Sequence, residues 1–366
     1  MSAAGESEHA VAAVPESAGA AGGGTTPEAG SSGRSGAETA RYWLGRFLRI
    51  ECLSVLVATI ALGAFIGIVH PNFLTSTQIR DVLQQSVYVA ILASGMAFLL
   101  AMREIDLSVG SIFGLTLIIS ALLMQGGMNP WIAAAIGIVC AGGMGLVNAI
   151  LVQVIAIPAI VATLATLSMY RGLALALSHG QQVTGLPFSS SFFSFLGGKQ
   201  LGIPVSVWGM VVVAIVMTAI LRLTPFGYRV RAIGSNPEAA TFSGISIPRV
   251  RVQALVMMGV LAGIAGIFGL AFFASGEPNI GSGFEFEAIA AAVIGGTSLR
   301  GGNATVVGAM IGAILLTEVS AGLVYFNVPQ NWSSFATGAV ILGAVSIDSL
   351  VRLRGRRSQE KGGLGL

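Results

Sequence analysis

Charge is scarce in this chain: 10% of its 366 residues are Asp, Glu, Lys or Arg, whereas 54% are apolar. A typical soluble domain has about 25% charged residues, so this balance excludes an ordinary soluble protein. The net charge of +3 is also too small to indicate a nucleic-acid partner.

Cysteine and histidine are rare too, with two and three residues. Cys52 and Cys140 lie in different apolar segments without metal-ligating neighbours, which predicts buried free thiols. The sequence has no nucleophile elbow and no phosphate-binding loop of the form Gly-x-x-x-x-Gly-Lys-Ser/Thr. The Gly-Gly-Lys at 197–199 continues with Gln200. We therefore expect no enzyme, no metal and no cofactor in this chain.

Apolar runs of about twenty residues are what the chain has instead, and each is long enough to cross a bilayer as a helix. The sequence predicts an all-α, polytopic transmembrane helical bundle of about ten spans, with eight as the alternative. The ten segments are approximately 50–69, 84–102, 107–125, 130–152, 157–177, 205–223, 252–274, 284–299, 304–325 and 332–351.

The two ends of the chain differ from this middle part. Residues 1–40 are rich in Ala, Gly, Ser and Glu and contain no apolar stretch, which predicts a disordered tail. Residues 41–351 form the predicted transmembrane domain, and 352–366 form a short basic tail. Arginines stand before the first span and after the last, so the positive-inside rule places both ends in the cytoplasm.

With ten spans, the loop at 224–251 is cytoplasmic as well. The lysines and arginines that do not then fall on the cytoplasmic side are Arg80, Arg171 and Lys199. Segment 284–299 is the weakest span, because it is short, begins near two carboxylates and ends in glycines. It is interpreted as a thin but ordinary crossing, with a broken or re-entrant helix as the alternative. Glycines four residues apart, such as Gly259 and Gly263, predict closely packed helices.

Residues 236–244 predict a short capped helix within the 224–251 loop. Asn236 can cap the first amide groups, and Pro237 suits the first helical position. Glu238 suits the positive end of the helix dipole, and Gly244 can end the helix in the left-handed conformation. Such a helix either docks in a groove of another protein or only orders the loop.

Polar side chains within the apolar segments are costly there and are therefore candidates for function. Asp106 and Ser108 follow the second span, and capping of the third helix is the favoured interpretation over a role in solute binding. Arg171 and Glu318 lie within spans, and either one could be the partner of the other. The possible pathway residues are Asp106, Ser108, Asn148, Thr163, Thr166, Glu287 and Thr297.

Several stretches occur in order over roughly residues 72–350. They are Ile-Asp-Leu-Ser-Val-Gly at 105–110, Ile-Pro-Ala-Ile-Val-Ala-Thr-Leu at 157–164, Arg-Gly-Leu-Ala at 171–174, Ala-Ile-Gly-Ser-Asn-Pro-Glu-Ala-Ala at 232–240 with Ser-Gly-Ile at 243–245, and Ala-Ile-Ala-Ala-Ala-Val-Ile-Gly-Gly-Thr-Ser-Leu at 288–299 with Gly-Gly at 301–302. Together they resemble the membrane permeases of bacterial ABC importers for ribose, xylose, galactosides and related monosaccharides.

The resemblance implies a permease subunit of the bacterial cytoplasmic (inner) membrane that forms the pathway for a monosaccharide or related small polar solute. Its partners would be two cytoplasmic ABC ATPase subunits, an extracytoplasmic solute-binding protein, and a second copy of itself or a related permease. The short helix would couple the permease to the ATPase, through Asn236, Pro237, Glu238, Ala239, Ala240, Ser243 and Gly244.

One departure from the family lies at 103–104, where this chain has Arg-Glu and the family usually has two glycines. Three competing interpretations stay open. They are an ion-coupled secondary transporter that titrates Glu318 or Asp106, a regulatory membrane subunit, and a permease of the same family for a nucleoside or a signalling sugar. The sequence does not name the solute.

Overall fold

A computed structural model describes residues 52–329 and the single residues 332, 335, 336, 338, 339, 342, 343 and 346. The tails predicted at 1–40 and 352–366, and most of the last predicted span at 332–351, lie outside the described residues. Within 52–329 the chain is helical, with one short two-stranded hairpin.

The longer helices are α1 (Leu53–Val69), α2 (Ser76–Ala101), α3 (Val109–Gln125), α4 (Pro130–Gln153), α5 (Ala159–Leu177), α7 (Val205–Leu223), α10 (Ile247–Phe273) and α12 (Val306–Tyr325). The shorter ones are α6 (Ser191–Leu196), α8 (Pro225–Ser235), α9 (Pro237–Phe242) and α11 (Phe284–Ile294). A 3₁₀ turn (Pro71–Leu74) follows α1, and the hairpin consists of β1 (Lys199–Gln200) and β2 (Ile203–Pro204).

Six of these helices are long and apolar enough to cross a membrane, namely α2, α4, α5, α7, α10 and α12. Helices α1 and α3 are apolar but shorter, with 17 residues each. The fold is therefore a polytopic helical membrane bundle, as the long apolar runs predict. The predicted total of about ten spans and the predicted side of each terminus stay predictions.

Helix α11 corrects the interpretation of segment 284–299 as an ordinary crossing. The helix has 11 residues and ends at Ile294. A helix of that length extends about 16 Å, roughly half the hydrocarbon thickness of a bilayer. The chain then turns at Gly295 and Gly296, and Gly296 adopts a φ of 97° that favours glycine. The broken-helix alternative fits this geometry better.

The α4–α10 pair makes the most extensive helix contact. Gly145 of α4 lies directly against the backbone of Leu255 and Val256, and Gly259 of α10 lies against Ala141 and Gly145. Only glycine lets two helix backbones approach this closely, since any side chain would occupy the contact. The close packing predicted from the spaced glycines is confirmed.

The β1–β2 hairpin lies just before α7 and was not predicted. Leu201 and Gly202 form its two-residue turn, with φ of 53° and 77°. Positive φ at both central positions is characteristic of a type I′ turn, which matches the twist of the paired strands. The hairpin is therefore the last part of the long connection from α5 to α7.

Gly145→Val is expected to destabilise the bundle by about 2 kcal/mol, because its Cβ would meet the α10 backbone and force the helices apart. The matched control is Gly143→Val in the same helix, where an added Cβ has nothing within 4 Å. Thermal unfolding in detergent measures both variants. Equal melting temperatures for the two would contradict the close α4–α10 contact.

Candidate functional site

Helix α9 has the caps that the sequence predicts. Asn236 Oδ1 accepts a hydrogen bond from the amide of Ala239 at 3.1 Å, and Pro237 occupies the first helical position. At the other end, the amides of Gly244 and Ile245 donate to the carbonyls of Thr241 and Ala240, at 2.9 and 3.0 Å. This is a Schellman ending with Gly244 in the left-handed conformation, at a φ of 80°. The predicted capped helix is confirmed, with its end at Phe242.

One face of α9 is exposed and the other is not. Ala240 is buried, whereas Glu238, Ala239 and Thr241 are exposed. Phe242 is 91% exposed, which is unusual for an aromatic side chain. Phe242 was not among the contact residues predicted from the sequence, although an aromatic residue in the last turn of a polar loop helix was a signal for it. The face offers one carboxylate and one large apolar group for contact.

Helix α8 precedes α9 directly and was predicted only as loop. Thr224 caps it by accepting from the amide of Gly227 at 3.2 Å, and Pro225 is its first residue. The Thr-Pro pair at 224–225 is the signal in the sequence that marks the start of this helix. Helices α8 and α9 pack on each other, so α9 projects from an ordered support rather than from a free loop.

The end of α8 rests on the end of α2. The backbone at Gly234 lies against the carbonyl of Ala101, which also accepts from the amide of Gly302 at 2.9 Å. Arg103 reaches across this junction. Its Nε donates to the Gly234 carbonyl at 2.9 Å and its Nη2 donates to the Ser235 carbonyl at 3.2 Å.

Glu104 forms an ion pair with Arg251. Its Oε1 lies 2.5 Å from Nη2 of Arg251, near the start of α10. Gln153, at the end of α4, accepts from the same guanidinium when its side-chain amide is turned to face it. Burial raises the pKa of Glu104 above its usual range, and the charge of Arg251 opposes that rise.

Asp106 lies in a buried polar network with Ser108, at the N-cap of α3, and with residues of α4 and α5. Its Oδ1 accepts from the amide of Ser108 at 2.8 Å and from the Ser108 hydroxyl at 2.6 Å. Asn148 of α4 donates to the Ser108 hydroxyl at 2.7 Å and to Asp106 Oδ2 at 3.4 Å. Tyr170 of α5 donates to the Met144 carbonyl at 3.0 Å and lies 3.5 Å from Asn148 Oδ1. Asp106, Ser108 and Asn148 are fully buried.

This network alters the capping interpretation of Asp106 and Ser108. Ser108 stands at the N-cap of α3, but its side chain caps no amide of that helix. Its hydroxyl is occupied by Asp106 and Asn148 instead, because both lie within hydrogen-bond distance in the bundle interior. Sequence reasoning missed Tyr170, whose buried hydroxyl needs a polar partner.

The other predicted pathway residues are not part of this network. Thr163 and Thr166 are fully buried, but their hydroxyls donate to backbone carbonyls of their own helix, those of Ala159 and Thr163, at 2.8 and 3.2 Å. Glu287 is half-buried on α11. Thr297 lies in the loop after α11, where its hydroxyl accepts from the amide of Thr305 at 3.3 Å.

Arg171 and Glu318 are not partners, which corrects that possibility. The Arg171 guanidinium donates to the carbonyls of Pro278 and Ile280 at 3.1 and 2.8 Å. Glu318 lies on α12 against Gly63 of α1. Arg171 lies on α5 and Glu318 lies on α12, and these two helices pack against different neighbours.

Comparison with known proteins identifies the kind of molecule that carries these features. A family model described as "branched-chain amino acid transport system / permease component" matches residues 78–345, well over half of the chain. The chain belongs to this permease family. Among the described residues of this permease, no group of three or more His, Cys, Asp or Glu side chains could hold a metal ion.

Curated relatives of the permease match over most of their own length. A ribose import permease protein of Bacillus subtilis is 35% identical over 305 residues, which cover 83% of this chain and 92% of the relative. An autoinducer 2 import system permease protein of Yersinia enterocolitica is 34% identical, with 82% of each covered. An L-arabinose ABC transporter permease protein of Azospirillum brasilense is 32% identical, with 81% and 87% covered. No solved structure gave a significant match.

These relatives confirm the resemblance stated from the sequence motifs. The permease is a multi-pass membrane subunit of a transport system rather than an enzyme, as the absence of catalytic motifs predicts. The family description names branched-chain amino acids, whereas these three relatives are named for ribose, autoinducer 2 and L-arabinose.

Proposed function

We propose that this permease forms the translocation pathway for a monosaccharide, or a related small polar solute, in an ATP-driven importer of the bacterial cytoplasmic membrane. The observation that carries the proposal is the similarity, over at least four-fifths of the chain, to permeases named for ribose and L-arabinose. A nucleoside or a signalling sugar is the alternative solute within the same family.

Three partners follow from an importer of this kind. They are cytoplasmic ABC ATPase subunits, an extracytoplasmic solute-binding protein, and a second permease, most simply another copy of this chain. No phosphate-binding loop occurs in the sequence, so the ATPase is a separate protein. The loop at 224–251 carries Arg229, Arg231, Arg249 and Arg251, and the positive-inside rule therefore assigns it to the cytoplasm, where that ATPase works.

Helix α9 is proposed as the element that contacts the ATPase. Its caps make a six-residue helix rigid enough to transmit force, although such a helix is too short to be stable alone. The exposed Phe242 supplies an anchor for an apolar pocket, and Glu238 lies exposed near it. The contact residues are those predicted from the sequence, with Phe242 added.

The buried network of Asp106, Ser108 and Asn148 is proposed to lie beside the solute pathway. Hydroxyl, carboxylate and amide groups are the hydrogen-bonding partners that a sugar requires. In this conformation they satisfy one another and no solvent reaches them. Separation of α4 from the α2–α3 connection would free these groups for a solute, at the cost of breaking those bonds.

The mechanism is alternating access driven by the ATPase. Closure of two nucleotide-binding subunits would displace α9, and α8 and α10 would carry that displacement into the bundle. The permease supplies the helices that move to open and close the pathway, but it makes and breaks no covalent bond. For coupling, ATP-bound ATPase must bind one of the two permease states, inward-open or outward-open, more tightly than the other. Nucleotide-free ATPase must show the opposite preference.

Uptake of a solute panel tests the proposed function. The permease is reconstituted in liposomes with its ATPase and binding protein, and uptake of labelled D-ribose, L-arabinose, adenosine and L-leucine is measured with and without ATP. We expect ATP-dependent accumulation of a monosaccharide at least tenfold above that of adenosine and leucine. Uptake by the permease alone under a pH gradient would instead establish a secondary transporter, and preference for leucine would establish an amino-acid permease.

A further inference from the structure

Two adjacent residues, Arg103 and Glu104, hold the chain on both sides of α9. Arg103 donates two hydrogen bonds to the carbonyls of Gly234 and Ser235, the last residues before Asn236 and α9. Glu104 pairs with Arg251 in α10, the helix that follows α9. The connection from α2 to α3 therefore contacts the chain both directly before α9 and in the helix that follows it.

The backbone at Arg103 is unusual for its residue type. The amides of Arg103 and Glu104 donate to the carbonyls of Leu100 and Leu99, both at 2.9 Å, which is a Schellman ending of α2. Arg103 occupies the left-handed position of that motif, with a φ of 64°. Glycine is the usual residue there, because a side chain costs free energy in this conformation. A strained residue whose side chain makes specific hydrogen bonds points to a use for that side chain.

The surrounding contacts leave little room for slippage between these segments. The carbonyl of Ala101 lies against the Gly234 backbone, and the Arg103 side chain lies against Gly301. The amide of Gly302 also donates to Ala101 at 2.9 Å. Close-packed backbone of this kind transmits a displacement rather than absorbing it. A shift of the end of α8 must therefore move the 103–106 segment.

That segment leads directly to the buried network. Asp106 follows Arg103 by three residues and accepts hydrogen bonds from Ser108 and Asn148. Asn148 belongs to α4, and Tyr170 of α5 lies 3.5 Å from its amide oxygen. The hydrogen bonds of Arg103 to the base of α9 are thus linked, through three residues of backbone, to the hydrogen bonds of Asp106 with the bundle.

We propose that Arg103 and Glu104 are positioning residues that transmit the displacement of α9 to the Asp106 network, so that ATP hydrolysis is coupled to solute movement. This inference rests on the proposed function of α9 as the contact with the ATPase. It assigns the transmission to side chains at the end of α2, separate from the surface that meets the ATPase.

Arg103→Gly tests the proposal without endangering the fold, because glycine prefers the φ that Arg103 adopts. The complete complex is reconstituted with D-ribose as the probe, and imported ribose per ATP hydrolysed is measured. We expect Arg103→Gly to assemble with the ATPase and hydrolyse ATP normally while the ratio falls about tenfold. Arg103→Lys, which keeps the charge, is expected to retain more of the ratio. A ratio within twofold of wild type for Arg103→Gly would overturn the proposal.

A double-mutant cycle tests Glu104 through its partner. Glu104→Gln, Arg251→Gln and the double variant are each expected to lower the ratio about fivefold, with the double variant no worse than either single one. If the double variant lowers the ratio by the product of the two single effects, the two residues act independently and the proposed role of the pair is overturned.

Assembly with the ATPase separates this inference from the proposed function. Loss of ATPase binding by Arg103→Gly would also overturn the inference, because the residue would then only shape the docking surface. Normal ATPase binding by variants of Phe242 would count against the proposed role of α9 instead.

Discussion

Phe242→Asp and Glu238→Lys are each expected to reduce ATP-driven uptake about a hundredfold while leaving the bundle folded. Both side chains are exposed on α9 and support nothing inside the permease, so their replacement costs the fold little. A buried aromatic anchor at a protein interface typically contributes about 2–4 kcal/mol, which corresponds to roughly a hundredfold in affinity. Co-purification of the ATPase and initial rates of D-ribose uptake measure the two effects.

Leu201→Asp is the matched control for Phe242→Asp. Leu201 is also a large apolar residue, 92% exposed, but it lies in the β1–β2 turn at the beginning of α7, whereas α8 and α9 follow the end of α7. A helix of 19 residues separates the two ends by about 28 Å. We expect the control to bind ATPase normally. Normal uptake by Phe242→Asp, or an ATPase defect in Leu201→Asp, would refute the assignment of α9.

Asn148→Leu is expected to destabilise the permease by about 3 kcal/mol and to abolish uptake. The change removes the amide that donates to Asp106 and Ser108, and it leaves a fully buried carboxylate with fewer partners. Loss of one partner of a buried polar group typically costs about 1–3 kcal/mol, and more where a charge is left unpaired. Thermal unfolding in detergent gives the first quantity and ribose uptake gives the second.

Thr163→Val provides the comparison for Asn148→Leu. Thr163 is also fully buried, but its hydroxyl bonds only to carbonyls of its own helix, so its loss should cost less than about 1 kcal/mol. We expect nearly normal stability and uptake. If Asn148→Leu transports normally, the buried network is not part of the pathway. If Thr163→Val loses uptake while remaining stable, the pathway runs along α5 instead.

The sequence predicted α9 and the long spans from local physics, although α8 and the β1–β2 hairpin, which are also locally encoded, were not predicted. The caps of α9 at Asn236 and Gly244 follow from the preferences of single residues and needed no tertiary information. The long apolar spans follow from bilayer thickness in the same way. For segment 284–299 the ordinary crossing was preferred and the broken helix was the alternative, because the glycines after Ile294 permit a break but do not require one; the helix ends at Ile294.

The hydrogen-bond and ion-pair partners of the polar side chains could not be predicted from the sequence. Arg171 and Glu318 looked like a possible pair because both are charged residues in apolar spans, yet Arg171 binds the carbonyls of Pro278 and Ile280. Glu104 found its partner in Arg251, well over a hundred residues later. Which of many distant groups meet depends on how helices pack, and one sequence contains no measure of that packing.

The amino-acid order alone determined a helical membrane bundle with a small capped helix between two spans, through hydrophobic length and residue-level capping preferences. That the chain is a transport subunit came from its resemblance to a permease family. Only the tertiary structure decided that Arg103 spans the junction between α2 and α8, and that Asp106 joins Ser108 and Asn148 in the interior. The reason is that hydrogen bonds between helices depend on distances across the bundle, and those are fixed only when the glycine-lined surfaces close together.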